Sequence, residues 1–230
     1  MTPEQIHQKI LYGYAKAGLK LGASFNIYRS ATSLNPISSG NLIGTTQMVA
    51  SVDWTFMKAS KYGNAVFFAC MDAQSANAPL SVEVGDYLVP TQGADNVISD
   101  NHTYFVQSLQ FDLPPIVVQC DQQLNVIRPS QNTAVGYDGY AGYTAATSIT
   151  IATGMPASVL RSGKGQNAAP QLPTDAREPM WIVLMPQLGN TIFRIGDIII
   201  DEINQEYVIT ENELTELGWR IMAQQVVNSR

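Results

Sequence analysis

Two stretches of this chain follow the same plan, and that repetition constrains the fold more than any other feature. Val84-Gly85-Asp86-Tyr87-Leu88-Val89 is followed, after an insertion, by Tyr104-Phe105-Val106 and then by Pro115-Ile116-Val117-Val118-Gln119-Cys120. Ile195-Gly196-Asp197-Ile198-Ile199-Ile200 is followed by Tyr207-Val208-Ile209 and then by Gly218-Trp219-Arg220-Ile221-Met222-Ala223. A further apolar run precedes each Gly-Asp pair, at 66–71 and 181–185. Runs of β-branched and aromatic residues bounded by turn residues read as strands. The order in both stretches is therefore strand, Gly-Asp turn, strand, Tyr strand, strand, which marks an internal duplication of a small antiparallel unit. The expected fold is mainly β, with two related small antiparallel β-barrel or sandwich units, one N-terminal α-helix and long loops.

The helix is expected over residues 3–21. Thr2 is placed to cap it, Pro3 suits the first helical position, and Gln5 completes a capping box. Ile6, Ile10, Tyr14, Ala17 and Leu21 recur at steps of three and four and form an apolar stripe, and Gly22 is a natural stop. The expected organisation is an N-terminal helix at 1–22, a first β unit at 23–130, a linker or arm with short strands at 131–179, and a second β unit at 180–230. The segments 148–152 and 155–160 read as two separate strands within the arm. Residues 30–46, 91–102 and 132–147 read as loops, and long loops of this kind are usually functional or bound to a partner.

The carboxylates near the C-terminus invite a catalytic reading. Asp201, Glu202, Glu206, Glu211, Glu213 and Glu216 are dense there, but a glycosidase needs two carboxyls facing each other across a cleft. These fall on turns and polar faces of hairpins instead. Asp86 and Asp197 have a simpler role in turns, where Gly85 and Gly196 supply positive φ and the aspartate bonds local backbone. Tyr104, Tyr207, Gly218 and Trp219 complete the expected turn and core set. His7 and His102 lack a nucleophile motif around them, and Ser162-Gly163-Lys164-Gly165 has the wrong spacing for a phosphate loop. Cys70 and Cys120 sit in apolar runs without metal-ligand spacing and read as buried thiols. No catalytic residue, cofactor or metal is expected.

Composition narrows the partners. Charged residues make up 14% of the 230, against roughly 25% in ordinary globular domains. So little charge suggests that part of the surface is covered in an assembly. The 13 basic residues are scattered and the formal charge is -6, which argues against a phosphate-gripping surface. The apolar runs are far shorter than the ~20 residues of a spanning helix. The start lacks the pattern of a signal peptide, so folding in the cytoplasm is expected. Tyr137, Tyr140 and Tyr143 recur in a Gly-rich loop with no basic neighbour and are candidates for contact with another subunit.

The progression from GDYLV and YFVQSLQFDLPPIVVQCDQQLNVIRP through MPASVLRSGKG to GDIIIDEINQEYVITENELTELGWRIMAQQV resembles a family of tailed-bacteriophage and prophage virion structural proteins. The opening helix followed by FNIYR and LNP is similar as well. The resemblance covers most of the chain and implies a head-tail connector, or neck, protein without catalytic residues. It further implies a homo-oligomeric ring in the virion, assembled in the host bacterial cytoplasm against portal, adaptor or tail proteins. A tail terminator or baseplate protein is the nearest alternative. A carbohydrate-binding host-attachment module, or a hydrolase with a deep carboxylate pocket, would belong to other classes.

Overall fold

A computed structural model describes residues 2–51, 65–74, 80–91, 102–110, 113–129, 148–161 and 180–226. The chain is mainly β, as the duplication requires, with helix α1 (Pro3–Leu21) at the start. The first unit holds β1 (Ala23–Tyr28), β2 (Leu42–Ser51), β3 (Val66–Met71), β4 (Tyr87–Pro90), β5 (Thr103–Ser108) and β6 (Ile116–Cys120). The second holds β7 (Gln122–Arg128), β8 (Ile149–Arg161), β9 (Met180–Met185), β10 (Ile198–Ile200), β11 (Glu206–Thr215) and β12 (Gly218–Gln225). Both are closed antiparallel barrels, ordered β1-β2-β3-β6-β5-β4 and β7-β8-β9-β12-β11-β10. In each, the fourth strand closes on the first: Asn26 pairs with Val89 in one, and Val126 with Ile199 in the other. The permutation is the same, so the duplication spans whole barrels. Closure leaves no free sheet edge among the described strands.

This moves the expected boundaries. The second unit begins at Gln122 rather than at 180, and it takes β7 from the expected first unit and β8 from the expected arm. The two short strands expected at 148–152 and 155–160 are one continuous strand. Gly154, at φ +57, lets β8 run through an irregular register against β7. That left-handed residue breaks the strand pattern in sequence without ending the strand. Likewise the expected loop at 30–46 gives way to β2 at Leu42.

Helix α1 has the expected cap. Thr2 Oγ1 accepts from the Gln5 amide at 3.4 Å, and the Thr2 amide donates to Gln5 Oε1 at 3.1 Å. Its packing face differs from the expected stripe: Ile6 and Leu21 are exposed, and Ala15 and Gly18 are the buried residues. A Cβ at Gly18 would lie 2.8 Å from the Gln47 carbonyl oxygen and 2.9 Å from that of Cys70. The helix thus rests backbone to backbone on β2 and β3, and small residues decide which face turns inward.

Inside the first barrel lie Phe25, Ile27, Met48, Met71, Leu88, Tyr104 and Val106. Alternate residues on the same wall, namely Val66, Tyr87, Phe105 and Val118, pack into the core of the second barrel. Strands buried on both faces explain the dense apolar runs of β3 to β6. Asp121 alone separates β6 from β7. Its amide donates to the Ala157 carbonyl at 3.1 Å, and its Oδ1 accepts from the Val159 amide at 2.7 Å. Tyr87 adds a buried bond to the Pro156 carbonyl at 2.9 Å. The loop after β1 completes the join: Leu34 bridges Thr153 in parallel, the Asn35 amide donates to the Thr153 carbonyl, and Ser33 Oγ donates to the Ile151 carbonyl.

Candidate functional site

Each Gly-Asp turn is half of a clasp, and an arginine at or just after the end of the barrel's first strand is the other half. In the first barrel, Arg29 donates from Nε to Asp86 Oδ1 and from Nη2 to Asp86 Oδ2, both at 2.8 Å. Arg29 Nη2 also reaches the Ser81 carbonyl at 2.8 Å, and the Glu83 amide donates to Asp86 Oδ2 at 2.7 Å. In the second barrel, Arg128 makes the same fork on Asp197 at 2.8 Å and reaches the Ile192 carbonyl at 2.8 Å. The Arg194 amide donates to Asp197 Oδ2 at 2.8 Å.

Backbone geometry repeats too. Gly85 and Gly196 have φ of +94° and +89°. Their amides donate to the Val106 and Ile209 carbonyls, and the Val106 and Ile209 amides donate back to the Asp86 and Asp197 carbonyls. Only glycine adopts this conformation without strain, so the turn needs Gly as firmly as it needs Asp. Asp86 and Asp197 are 1% exposed. Each accepts a two-pronged guanidinium fork and one backbone amide, which holds it in the turn. The Asp86 bond and charge, working against burial, hold the Arg29 guanidinium above its ordinary pKa, and Asp197 does the same for Arg128. A bidentate buried fork of this kind fixes geometry; here it pins the first strand to the entry of the fourth.

The remaining predicted residues lie in the core, in turns or on strand β11 where they are described. Tyr104 is buried with its ring edge-on to Phe25 and Phe67. Tyr207 donates to Asp201 Oδ2 at 2.9 Å, and burial followed by that bond pushes its phenol up to about 12. Asp201 also accepts from the Ile203 and Gln205 amides and so closes the turn between β10 and β11. Gly218, at φ +102, lies where a Cβ would meet the Met185 carbonyl at 2.6 Å, and Trp219 packs edge-on against Phe193. Glu202 accepts from the Gln123 amide, and Glu213 lies 3.6 Å from Arg220. The carboxylates of the last hairpins are therefore spread over strand β11, which carries Glu206, Glu211 and Glu213, and the turns on either side of it. Tyr137, Tyr140 and Tyr143 lie outside the described residues, as does the loop at 132–147.

Cys120 is buried as expected but Cys70 is only half-buried, and burial raises the pKa of both thiols. Beside α1 an open groove of about 390 Å³ is lined by His7, Leu11, Val82, Leu109 and Pro115 among others. Among the described residues there is no group of three or more His, Cys, Asp or Glu placed to hold a metal. No described helix is long and apolar enough to cross a membrane.

No family model, curated protein or solved structure matches the chain. Sequence reasoning found the Gly-Asp half of each clasp and missed the arginine half. The signal was present: Asn26-Ile27-Tyr28-Arg29 and Asn125-Val126-Ile127-Arg128 precede their Gly-Asp pairs in the same order.

Proposed function

We propose that the chain is a structural subunit of a tailed-phage virion, specifically a head-tail connector subunit that forms a ring between portal or adaptor and tail. The observation that supports this reading is the tandem of identically permuted closed barrels, joined through Asp121, a shared apolar wall and the bonds of the loop after β1. A ring subunit must hold its two flanks at a fixed angle, because a heterologous contact closes only when each rotation is the same. Apolar side chains stand exposed at separate places, with Tyr12 at 63% and Leu21 at 76% on α1, and Val84 at 53% and Ile195 at 68% on the clasp turns. Apolar residues exposed singly are ordinary on a protein surface; in this reading they lie at subunit contacts, and function is assembly without turnover.

Electron microscopy of the purified protein and of the virion tests the proposal. A ring at the neck is the expected result. A stable monomer with no place in the particle would overturn it, and glycan binding by that monomer would favour host attachment instead. A ring at the tail tip would shift the assignment to the baseplate.

A further inference from the structure

The two clasps share the carboxylate fork and the backbone bonds of the turn, and they differ in one charged side chain. In the first barrel, Glu83 Oε1 accepts from Arg29 Nη1 at 2.7 Å, and the Glu83 side chain remains 61% exposed. The equivalent residue of the second barrel, three before the aspartate, is the exposed Arg194. Among the described residues Arg128 has Asp197 as its carboxylate partner and Arg194 contributes only its backbone amide to Asp197, whereas Arg29 has both Asp86 and Glu83. One tip carries a net negative charge and the other a net positive charge, on the same scaffold. Each also exposes an apolar residue just before its glycine, Val84 in the acidic tip and Ile195 in the basic tip, with Ile192 beside the latter.

We propose that the basic tip, Arg194 with Ile195, takes the acidic tip, Glu83 with Val84, of a second copy of this chain. The first barrel shows the chemistry, since Glu83 beside its clasp takes a guanidinium nitrogen, Arg29 Nη1, whose counterpart on Arg128 has no acceptor among the described residues. The occupant is a second copy because both halves of the complement stand on this chain: opposite charge and an apolar residue on the same turn. Complementary charges fix which surfaces meet and in what register. The inference rests on the proposed self-assembly and names the contact that carries it.

The test is charge exchange in the full chain, read by sedimentation velocity over a concentration series at low and high salt. Glu83→Arg and Arg194→Glu each install the residue that the other barrel already carries at the equivalent position, so both variants should keep the wild-type circular dichroism. Wild type should associate, and more weakly as salt rises. Each single variant should bind at least about tenfold more weakly, since like charges then face each other, and the double variant should recover wild-type mass. Singles that leave mass unchanged, or a double that fails to recover it, overturn this contact and leave the ring reading standing. A charge-sensitive association that stops at a dimer supports the contact and overturns the ring. A wild type that stays monomeric throughout overturns both.

Discussion

Asp86 and Asp197 are buried anions, each held by an arginine fork and one amide. Removing such a carboxylate leaves a half-buried guanidinium and a backbone N–H without their partner, at a cost of about 3 kcal/mol. Asp197→Ala should lower the unfolding free energy by that amount in urea titration, and Asp197→Asn by less, because the amide oxygen still accepts from Arg194. Asp121 behaves in the opposite sense. Burial, with the nearby Glu202 charge adding to it, raises its carboxyl pKa despite the Val159 amide bond. A folded-state pKa above the unfolded value means that the folded chain holds the proton more tightly. Stability from this group is therefore full below the unfolded pKa and is lost as pH rises through the raised value. Asp121→Asn should keep the acceptor for Val159 and flatten stability against pH across that acidic window. An unchanged pH profile would show that Asp121 is not the titrating group.

Helix α1 is an element whose face is chosen by sterics. Gly18→Leu puts a side chain where the Gln47 and Cys70 carbonyls already stand, and overpacking of this kind costs roughly 1–3 kcal/mol. The expected outcome is loss of amide protection in α1 while the strands of both barrels keep theirs, read by hydrogen exchange. The same position shows where the sequence was hard to read. Apolar periodicity marks Ile6 and Leu21 as inward, yet close approach of two backbones favours Ala15 and Gly18, and a glycine carries no hydropathy signal. The strands around Gly85 and Gly196 were legible because turn chemistry and apolar runs coincide there. Strand β8 was not, since Gly154 interrupts its pattern. Strands β1 and β7 recur as Asn-Ile-Tyr-Arg and Asn-Val-Ile-Arg, but connectors of unequal length separate them from their aspartates. A local comparison therefore reaches only the later strands of each barrel.

At the scale of the molecule the barrels share a wall. Tyr87, Phe105 and Val118 belong to the first barrel by strand and to the second by packing. The chain should unfold as one unit, with a single calorimetric transition; two resolved transitions would contradict the shared wall. Tyr87→Phe removes the buried bond to the Pro156 carbonyl, and about 1 kcal/mol should be lost from that same transition.

The one-residue join also sets an order of events during synthesis. Every strand of the first barrel is available once Cys120 has left the ribosome, so that barrel can close first. Its outer wall of Val66, Tyr87, Phe105 and Val118 then stays wet until β8 arrives. Leu34 waits for the same strand, because its partner Thr153 lies far along the chain. Between those two moments the nascent protein presents a finished barrel with an apolar flank, and a chaperone would bind it most readily in that interval.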